Sequence, residues 1–221
     1  NSSTLFGAIK TKEVDVLISN SIDDMQRMSL NNMVKKDKLN SGEGDPIEIG
    51  YITFKSNTLP LKNQTIREAL SYTIDRELIS NQVSFKTRDP LRSIVPPQLY
   101  KKDFSPWPKY NPKLAKTLLK QQGYCETNIL RIPLTFRSNV PADKLLALTW
   151  KEQIKRDLSD CIEITLNGIE STTVYKQLSE GAFEAVILDW TGAYPDPEAY
   201  LTPLLSCNEI NNNSCLKGEA V

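Results

Sequence analysis

The 221 residues are enough for one large domain or two small ones, and we expect one domain with a substantial core. Lysine plus arginine and aspartate plus glutamate each number 27, so the charge gives no reason to expect nucleic acid or an anionic membrane surface as a partner. No apolar run approaches the roughly 20 residues that cross a bilayer, and no secretory signal opens the chain. Neither terminus has the features of a natural end, so we expect a piece of a longer protein and leave its compartment open.

Four cysteines lie in the second half of the sequence: Cys125, Cys161, Cys207 and Cys215. The sequence has no histidine and no C-x-x-C pair, which argues against a metal site. Cys125 and Cys161 each precede a predicted strand, and the other two flank an asparagine-rich loop. Two disulfides in an oxidising compartment are therefore sterically reasonable, with their pairing left open. The alternative is four buried free thiols in a cytosolic protein.

The first part of the chain has the pattern of a strand, a helix and a second strand. Residues 14–18 form a short apolar run that predicts a strand, and Ser21 or Asp23 can cap a helix that runs through Met25 and Leu30. The charged residues at 35–46 are typical of a solvated loop. Residues 47–54 alternate apolar and polar side chains, which is the period of a half-buried strand.

Two helices and a long loop are predicted next. Thr65 and Glu68 have the spacing of a capping box, which predicts a helix with a buried stripe on one side. Asp75 can cap a second helix that runs towards residue 83. Five prolines interrupt residues 84–111. We therefore predict a loop there, held in place by Trp107 and Tyr110.

The second half of the chain alternates helices and strands. Asn111 followed by Pro112 is an N-cap with proline at the first helical position, and Gly123 ends that helix. Strands are predicted at 129–136, 162–166 and 185–188, and helices at 145–158 and 172–180. In the helix at 172–180, Val174, Tyr175 and Leu178 are predicted to face inward. Two successive β-α-β crossovers imply parallel strands with right-handed connections. Asp196 and Pro197 repeat the cap-plus-proline start before a last helix.

The strand at 185–188 leads into the stretch most typical of a binding site. An abrupt loop follows it, with Trp190, Gly192, Tyr194 and two prolines. Open α/β sheets bind ligands beyond the carboxyl ends of their strands. We therefore predict a ligand site at this loop, with Trp190 as either a wall of the site or a core aromatic residue.

Several stretches, in this order, resemble the peptide- and nickel-binding class of extracellular solute-binding proteins, the soluble receptors of ABC importers. They are Glu13-Val14-Asp15-Val16, Thr65-Ile66-Arg67-Glu68-Ala69-Leu70 with Asp75-Arg76, Ile94-Val95-Pro96-Pro97, Tyr110-Asn111-Pro112 through Gly123-Tyr124, and Gly181-Ala182-Phe183-Glu184 through Tyr194-Pro195-Asp196-Pro197. The resemblance implies an α/β lobe of the type II periplasmic-binding-protein kind, with a mixed, mainly parallel sheet flanked by helices. Residues 1–221 would form a single lobe, the second of two that close on a ligand, and most of the first lobe would lie outside this chain.

The resemblance also implies a function. The protein would be the substrate-binding component of an ABC importer, not an enzyme, without a cofactor. It would be a periplasmic or otherwise extracytoplasmic monomer, with a lipoprotein anchor as one option. Its partners would be a small solute, such as an oligopeptide, a dipeptide or a related compound, and the permease subunits of the transporter.

The site implied by the resemblance lies at the loop after residue 188. The residues that would bind the ligand are Ser171, Asp189, Trp190, Thr191, Gly192, Ala193 and Tyr194. Similar peptide-binding proteins commonly hold the amino terminus of the ligand with an aspartate at the position of Ala193, and they often have a pocket tryptophan near the position of Ser171. Because a lost ion pair in a desolvated cleft weakens the binding of a free amino terminus, these departures argue against an ordinary peptide ligand.

Other interpretations of the same residues stay open. Asp189 with Asp196 or Glu198 could form the acid and base pair of a glycosidase. A ligand-sensing lobe of a signalling receptor would have the same sequence features as a transport receptor. Asp189 could also bond only to loop amides, and Asp196 is most simply a helix cap. Arg67 and Asp75 are better explained by pairing on or between helices than by ligand contact.

Overall fold

A computed structural model describes residues 2–18, 22–42, 44, 47–100, 105–178, 180–207, 209–211 and 214–217. Its helices are α1 (Ser2–Thr11), α2 (Asp24–Val34), α3 (Gln64–Ser71), α4 (Arg76–Gln82), α5 (Pro112–Gln121), α6 (Pro141–Leu158), α7 (Ser171–Leu178) and α8 (Glu198–Leu205). Its strands are β1 (Glu48–Phe54), β2 (Leu130–Arg137), β3 (Ile162–Ile169), β4 (Ala185–Thr191), β5 (Glu209–Asn211) and β6 (Ser214–Lys217). Within these ranges, no helix is both long and apolar enough to cross a bilayer.

The chain divides into two compact units. The first contains residues 1–44 and 77–90, and the second contains residues 45–76 and 91–221. The boundary crosses α4 at its first residue, Arg76. The prediction that residues 1–221 act as a single lobe of a larger receptor stays a prediction.

The first unit differs most from the sequence prediction. Residues 14–18 do not form a strand, and the helix α1 precedes them instead. Val16 and Ile18 are both 76% exposed, so this run does not pack an apolar face against a core as a strand in a sheet would. The helix α2 is confirmed: Asp23 accepts a hydrogen bond from the backbone N–H of Gln26, whose side chain bonds back to Asp23. In the same unit, Thr87 donates a hydrogen bond to the buried Asp24.

The second unit is built on a four-stranded sheet with the order β1-β4-β2-β3. The strand β2 is parallel to both of its neighbours, with Leu130 opposite Ile162 in β3 and Leu134 opposite Ala185 in β4. The strand β1 is antiparallel to β4. The predicted fold class, a mixed and mainly parallel sheet flanked by helices, is confirmed.

One face of this sheet carries the main core of the second unit. Alternate residues of β2, β3 and β4 pack there against α3, α5 and α6. The fully buried Trp150 of α6 donates its indole N–H to Thr73, which in turn donates to the carbonyl of Leu70. The hydrophobic spacings therefore predicted the buried faces of these helices, except that Leu145, the first residue of the predicted α6 pattern, is 37% exposed.

Helix caps show where local sequence signals were right and wrong. Asn111 accepts from the N–H of Leu114 with proline at the next position, as predicted, and Gly123 follows α5 with a φ of +78°. The capping box predicted at Thr65 is wrong. The helix α3 begins two residues earlier, because the N-cap is Asn63, which accepts from the N–H of Thr65.

The proline-rich segment is held in place as predicted. It contains a 3₁₀ turn at Pro97–Leu99. The backbone N–H of Trp107 donates to the carbonyl of Arg92, and the guanidinium of Arg76 lies 5.9 Å from the centre of the Trp107 ring. The hydroxyl of Tyr110 bonds to Asp157 in α6.

A disulfide joins Cys125 to Cys161, close to the starts of β2 and β3. The bond links these two strands at the edge of the sheet opposite to their carboxyl ends. Cys207 is also disulfide-bonded. The side chain of Cys215 lies outside the described residues.

Candidate functional site

The carboxyl ends of β2 and β4 meet at one edge of the sheet. Arg137 is the last residue of β2, and Asp189 lies near the end of β4. Because the two strands are parallel neighbours, with Thr135 opposite Val186, their ends lie side by side. This edge is where an open α/β sheet places a ligand.

The Arg137 guanidinium is saturated by side chains of its own chain. Its Nε and Nη2 donate to the two oxygens of Asp143 at 2.7 and 2.9 Å. Its Nη1 and Nη2 donate to the two oxygens of Asp189 at 3.0 and 2.7 Å, and Nη1 also donates to the hydroxyl of Tyr175 at 2.7 Å. A guanidinium has five N–H groups, so none is left for another acceptor. We call Arg137, Asp143, Tyr175 and Asp189 the inner cluster.

Each member of the inner cluster comes from a different element. Arg137 ends β2, Asp143 lies in the first turn of α6, Tyr175 belongs to α7, and Asp189 belongs to β4. The guanidinium therefore connects four elements: the strands β2 and β4 and the helices α6 and α7. Fork-shaped pairs of this kind fix orientation as well as contributing energy.

Burial and pairing act in opposite directions on these charges. The side chains of Arg137 and Asp143 are only 5% and 8% exposed, whereas that of Asp189 is 39% exposed. Burial acts to lower the pKa of Arg137, but hydrogen bonds to Asp143 and Asp189 raise it above its ordinary value. Burial raises the pKa of Asp143, and the hydrogen bonds from Arg137 oppose that rise. The guanidinium stays charged, and Asp189 and Tyr175 are the members of the cluster that reach solvent.

Asp189 was predicted from the sequence as a site residue, but the other three members of the inner cluster were not. The predicted strand ended at residue 136, one residue before Arg137, and Tyr175 was assigned to the buried face of its helix. Tyr175 is instead 50% exposed. A usable signal existed, because Arg137 ends an apolar strand that was predicted to lie parallel to the strand of Asp189.

Trp190 is anchored by α8. Its indole N–H donates to the carbonyl of Ala199 at 2.8 Å. The half-buried ring packs against a small core formed by Ile49, Val95, Ala199, Tyr200 and Leu204. The polar group of the indole is thus used within the chain, and only part of the ring is left for contact with another molecule.

Gly192 and Tyr200 fix the loop that follows β4. A β-carbon at Gly192 would lie 2.8 Å from the ring of Tyr200, so the glycine permits a contact that any side chain would block. Tyr200 is fully buried, and its hydroxyl donates to the carbonyl of Ile47. Thr191, Ala193 and Tyr194 are exposed around this fixed point.

Ser171 lies at the first position of α7 and is half-buried. Its backbone N–H and its hydroxyl both donate to the side-chain oxygen of Asn139, at 3.0 and 2.6 Å. The hydroxyl is therefore occupied in this structure. Asn139 follows β2 by two residues, so the start of α7 is tied to the same edge of the sheet as Arg137.

The other carboxylates predicted near the site have structural roles. Asp196 accepts from the backbone N–H of Glu198, the first residue of α8, while the position directly before the helix is Pro197. The helix thus begins one residue later than the cap-plus-proline pattern predicted. Asp189 binds Arg137 rather than loop amides. With both oxygens held by a guanidinium, Asp189 is poorly suited to act as the acid of a glycosidase.

The structure also gives contacts for Arg67 and Asp75, which were assigned to pairing on or between helices. Arg67 does not pair across a helix surface; its Nη1 donates to the backbone carbonyls of Leu61 and Lys62. The backbone N–H of Asp75 donates to the buried Gln153 of α6. Among the described residues, no group of three or more cysteine, aspartate or glutamate side chains could hold a metal ion.

Comparison with known proteins identifies relatives of this chain. The sequence model of the family described as bacterial extracellular solute-binding proteins, family 5, middle region, matches residues 1–212. The heme-binding protein A of Haemophilus influenzae is 25% identical over 221 residues, which cover 97% of this chain and 38% of that protein. The dipeptide-binding protein of Escherichia coli is 24% identical over 214 residues, covering 94% of this chain and 38% of the relative.

A solved structure of a relative has the same fold. The dipeptide-binding protein of Pseudoalteromonas sp. SM9913, in complex with Met-Leu, superimposes with a TM-score of 0.76 at 26% identity, covering 94% of this chain and 40% of that one. The chain thus spans about two fifths of the length of these relatives. The match of the family model over nearly all of the sequence shows that the chain belongs to family 5 of the bacterial extracellular solute-binding proteins.

Proposed function

We propose that this chain is part of the substrate-binding component of an ABC importer and that it forms one lobe of a receptor closing on a small solute. The relatives named above are described as binding a dipeptide or heme, and another relative is described as a nickel-binding periplasmic protein. For this chain the solute class is an oligopeptide, a dipeptide or a related compound.

The observation that carries this proposal is the edge of the sheet at the ends of β2 and β4. The inner cluster makes that edge rigid. In α8, Ala199 accepts the hydrogen bond of Trp190, and the ring of Tyr200 packs against Gly192. Thr191, Ala193 and Tyr194 are left exposed on this support. A rigid, partly apolar wall with a few oriented polar groups is what a solute site requires.

The proposed ligand-binding residues have different parts in this wall. Tyr194, whose side chain is 50% exposed, and the accessible part of the Trp190 ring would contact apolar groups of the solute. Asp189 would supply a polar contact. Thr191, Gly192 and Ala193 would offer backbone groups, and Ser171 would reach the site only by giving up its hydrogen bond to Asn139.

The proposed compartment is extracytoplasmic, and the proposed partners are the permease subunits of the transporter. The disulfide between Cys125 and Cys161 supports an oxidising environment. The intact receptor would act as a monomer, with anchoring as a lipoprotein one way to keep it near the permease. Mass spectrometry of native protein should find no alkylatable thiol at Cys125 or Cys161.

The test of the proposed function is ligand binding by the full-length protein. A panel of dipeptides, longer peptides, opines, nickel chelates and sugars is screened by thermal shift, and hits are measured by calorimetry. At least one class should raise the melting temperature, because a ligand that binds only the native state stabilises it. Residues 1–221 alone should bind the same hit much more weakly, since half of the contacts are missing.

The location of the site is tested by a matched pair of variants. Tyr194→Ala should raise the dissociation constant of the ligand found in the screen about tenfold, because it removes an aromatic contact. Leu59→Ala is the control: Leu59 is 79% exposed and follows the end of β1 that pairs with Ala185, at the opposite end of β4. Equal binding by wild type and Tyr194→Ala would refute the assignment of the wall, and failure of the whole panel would refute the proposed function.

A further inference from the structure

We propose that Arg137 is a positioning residue for the solute: it orients Asp189 as an acceptor and Tyr175 as a hydroxyl donor, and the pair selects a cationic or N–H-bearing group over an anionic one. This inference rests on the proposed function. It adds to it a residue outside the predicted loop and the charge class of the group that is bound.

The direction of the Tyr175 hydroxyl follows from the chemistry of its partner. A guanidinium has donors and no acceptor, so Arg137 Nη1 donates and the Tyr175 oxygen accepts, at 2.7 Å. The phenolic hydrogen must then point away from Arg137. Because the Tyr175 side chain is 50% exposed, that hydrogen is available on the open side of the cluster.

Counting hydrogen bonds also shows that Asp189 can accept further ones. Each of its oxygens accepts one N–H from Arg137. An ionised carboxylate has about four acceptor positions, so the two held by Arg137 leave others unused. With 39% of the side chain exposed, Asp189 can accept from a ligand without leaving the guanidinium.

The charge of the inner cluster gives the selectivity. Arg137 contributes one positive charge, and Asp143 and Asp189 contribute two negative charges, so the cluster carries one net negative charge. Arg137 is 5% exposed and has no free N–H, which means that an anionic group cannot reach a donor on it. A ligand anion placed here would face Asp189 instead, whereas an ammonium or amide N–H would find an oriented acceptor.

The arrangement also explains why Asp189 needs Arg137. A half-exposed aspartate without a partner would sample several rotamers, and a ligand would lose affinity in ordering it. The bidentate contact with a guanidinium that is itself held by Asp143 fixes the carboxylate before the ligand arrives. Lysine could keep the positive charge but could not reproduce the planar fork.

The experiment uses the full-length protein and three probes on one scaffold: Met-Leu, N-acetyl-Met-Leu and N-succinyl-Met-Leu. At the amino end of the dipeptide they carry an ammonium, a neutral acetamide, and an amide whose acyl group ends in a carboxylate. Calorimetry gives the ratio of the dissociation constants of the succinyl and ammonium compounds. We expect the ammonium compound to bind at least about tenfold more tightly than the succinyl compound in the wild type, as charge-assisted hydrogen bonds and like-charge repulsion require.

Two substitutions of aspartate by asparagine test the assignment. Asp189→Asn should reduce the ratio about tenfold, because it removes the charge and offers a donor to the anion. Asp196→Asn removes the same charge from the neighbouring loop, and its amide oxygen can still accept from Glu198, so it should leave the ratio unchanged. Equal ratios for the two variants would overturn the inference.

Arg137→Lys and Tyr175→Phe test the positioning itself. Arg137→Lys should lower the ratio with Asp189 still present, a change that a purely structural loss would not cause because it would weaken all three probes equally. If Arg137→Lys does not fold, Asp189→Asn and Tyr175→Phe decide, with Tyr175→Phe expected to weaken N-acetyl-Met-Leu through loss of the hydroxyl donor. If none of the three probes binds while another solute of the panel does, the inference fails and the proposed function stands.

Discussion

The second unit contains two clusters in which an arginine, an aspartate and a tyrosine are joined by hydrogen bonds. The inner cluster surrounds Arg137. The other, which we call the outer cluster, contains Tyr110, Arg156 and Asp157: Arg156 donates to both oxygens of Asp157 at 2.8 and 2.7 Å and to Tyr110 at 2.8 Å. The residue types are the same, but their surroundings differ.

Burial separates the two clusters. The side chain of Arg137 is 5% exposed, whereas that of Arg156 is 53% exposed. The inner cluster connects residues from four elements, with Arg137 and Asp189 lying 52 positions apart. In the outer cluster, Arg156 and Asp157 are adjacent on α6, and only Tyr110 comes from elsewhere. Similar hydrogen bonds should therefore have very different effects on stability.

The largest difference is expected when each arginine is replaced by methionine. Arg137→Met leaves Asp143 buried without a counter-charge and should cost about 3–5 kcal/mol of unfolding free energy. Arg156→Met removes an exposed ion pair that water can replace, and it should cost less than about 1 kcal/mol. Urea unfolding of the full-length protein, followed by circular dichroism, measures both. Equal losses would show that burial does not control the strength of these clusters.

The same contrast explains which parts of the structure could be predicted from sequence. Signals that lie within a few residues gave the correct elements: Asn111 with Pro112 for the start of α5, and the alternation at 47–54 for β1. Spacing also gave the parallel direction of β2, β3 and β4 and most of the buried face of α6. These features depend on local geometry and on hydrophobic period.

The inner cluster could not be predicted from local signals or from hydrophobic spacing. Its contacts span between 6 and 52 positions, and no local pattern indicates which carboxylates a given arginine will meet. The role of Trp190 was ambiguous for the same reason, since only the packing of α8 against β4 shows that Ala199 accepts from the indole. Even caps were uncertain by one or two residues, because Asn63 and Thr65 offered competing side-chain oxygens.

A smaller difference is expected between the two tyrosines. Tyr175→Phe removes an acceptor from a buried charged donor, and we expect a cost of about 1 kcal/mol. Tyr110→Phe removes a hydroxyl whose partners are both reached by water, so its cost should be within about 0.5 kcal/mol of zero. Differential scanning calorimetry of the two variants gives the comparison. A larger effect at Tyr110 would contradict it.

A high salt concentration should increase the difference between the stability losses of Arg137→Met and Arg156→Met. At about 1 M ionic strength the screening length falls to about 3 Å, and exposed charges interact only weakly. The stability difference between wild type and Arg156→Met should therefore vanish in 1 M NaCl, as measured by urea unfolding. The difference for Arg137→Met should persist, since ions do not reach the buried guanidinium. A loss that shrinks equally in both variants would mean that the inner cluster is open to solvent.

The smallest expected effect concerns the titration of Asp157. The hydrogen bonds from Arg156 lower the pKa of this carboxyl below its ordinary value of 3.8, burial opposes the shift, and the hydrogen bond from Tyr110 adds to it. A carboxyl with a lowered folded pKa contributes stability above its unfolded pKa, and that contribution is lost as the pH falls through the folded value. The outer cluster should therefore weaken only below about pH 4.

Carbon-detected NMR titration should place the pKa of Asp157 below 3.8 in the wild type and nearer to that value in Arg156→Met. Asp160, whose pKa is lowered by Lys116, serves as the control that should not move. An unchanged pKa of Asp157 in Arg156→Met would show that the exposed arginine does not affect the titration of its neighbour.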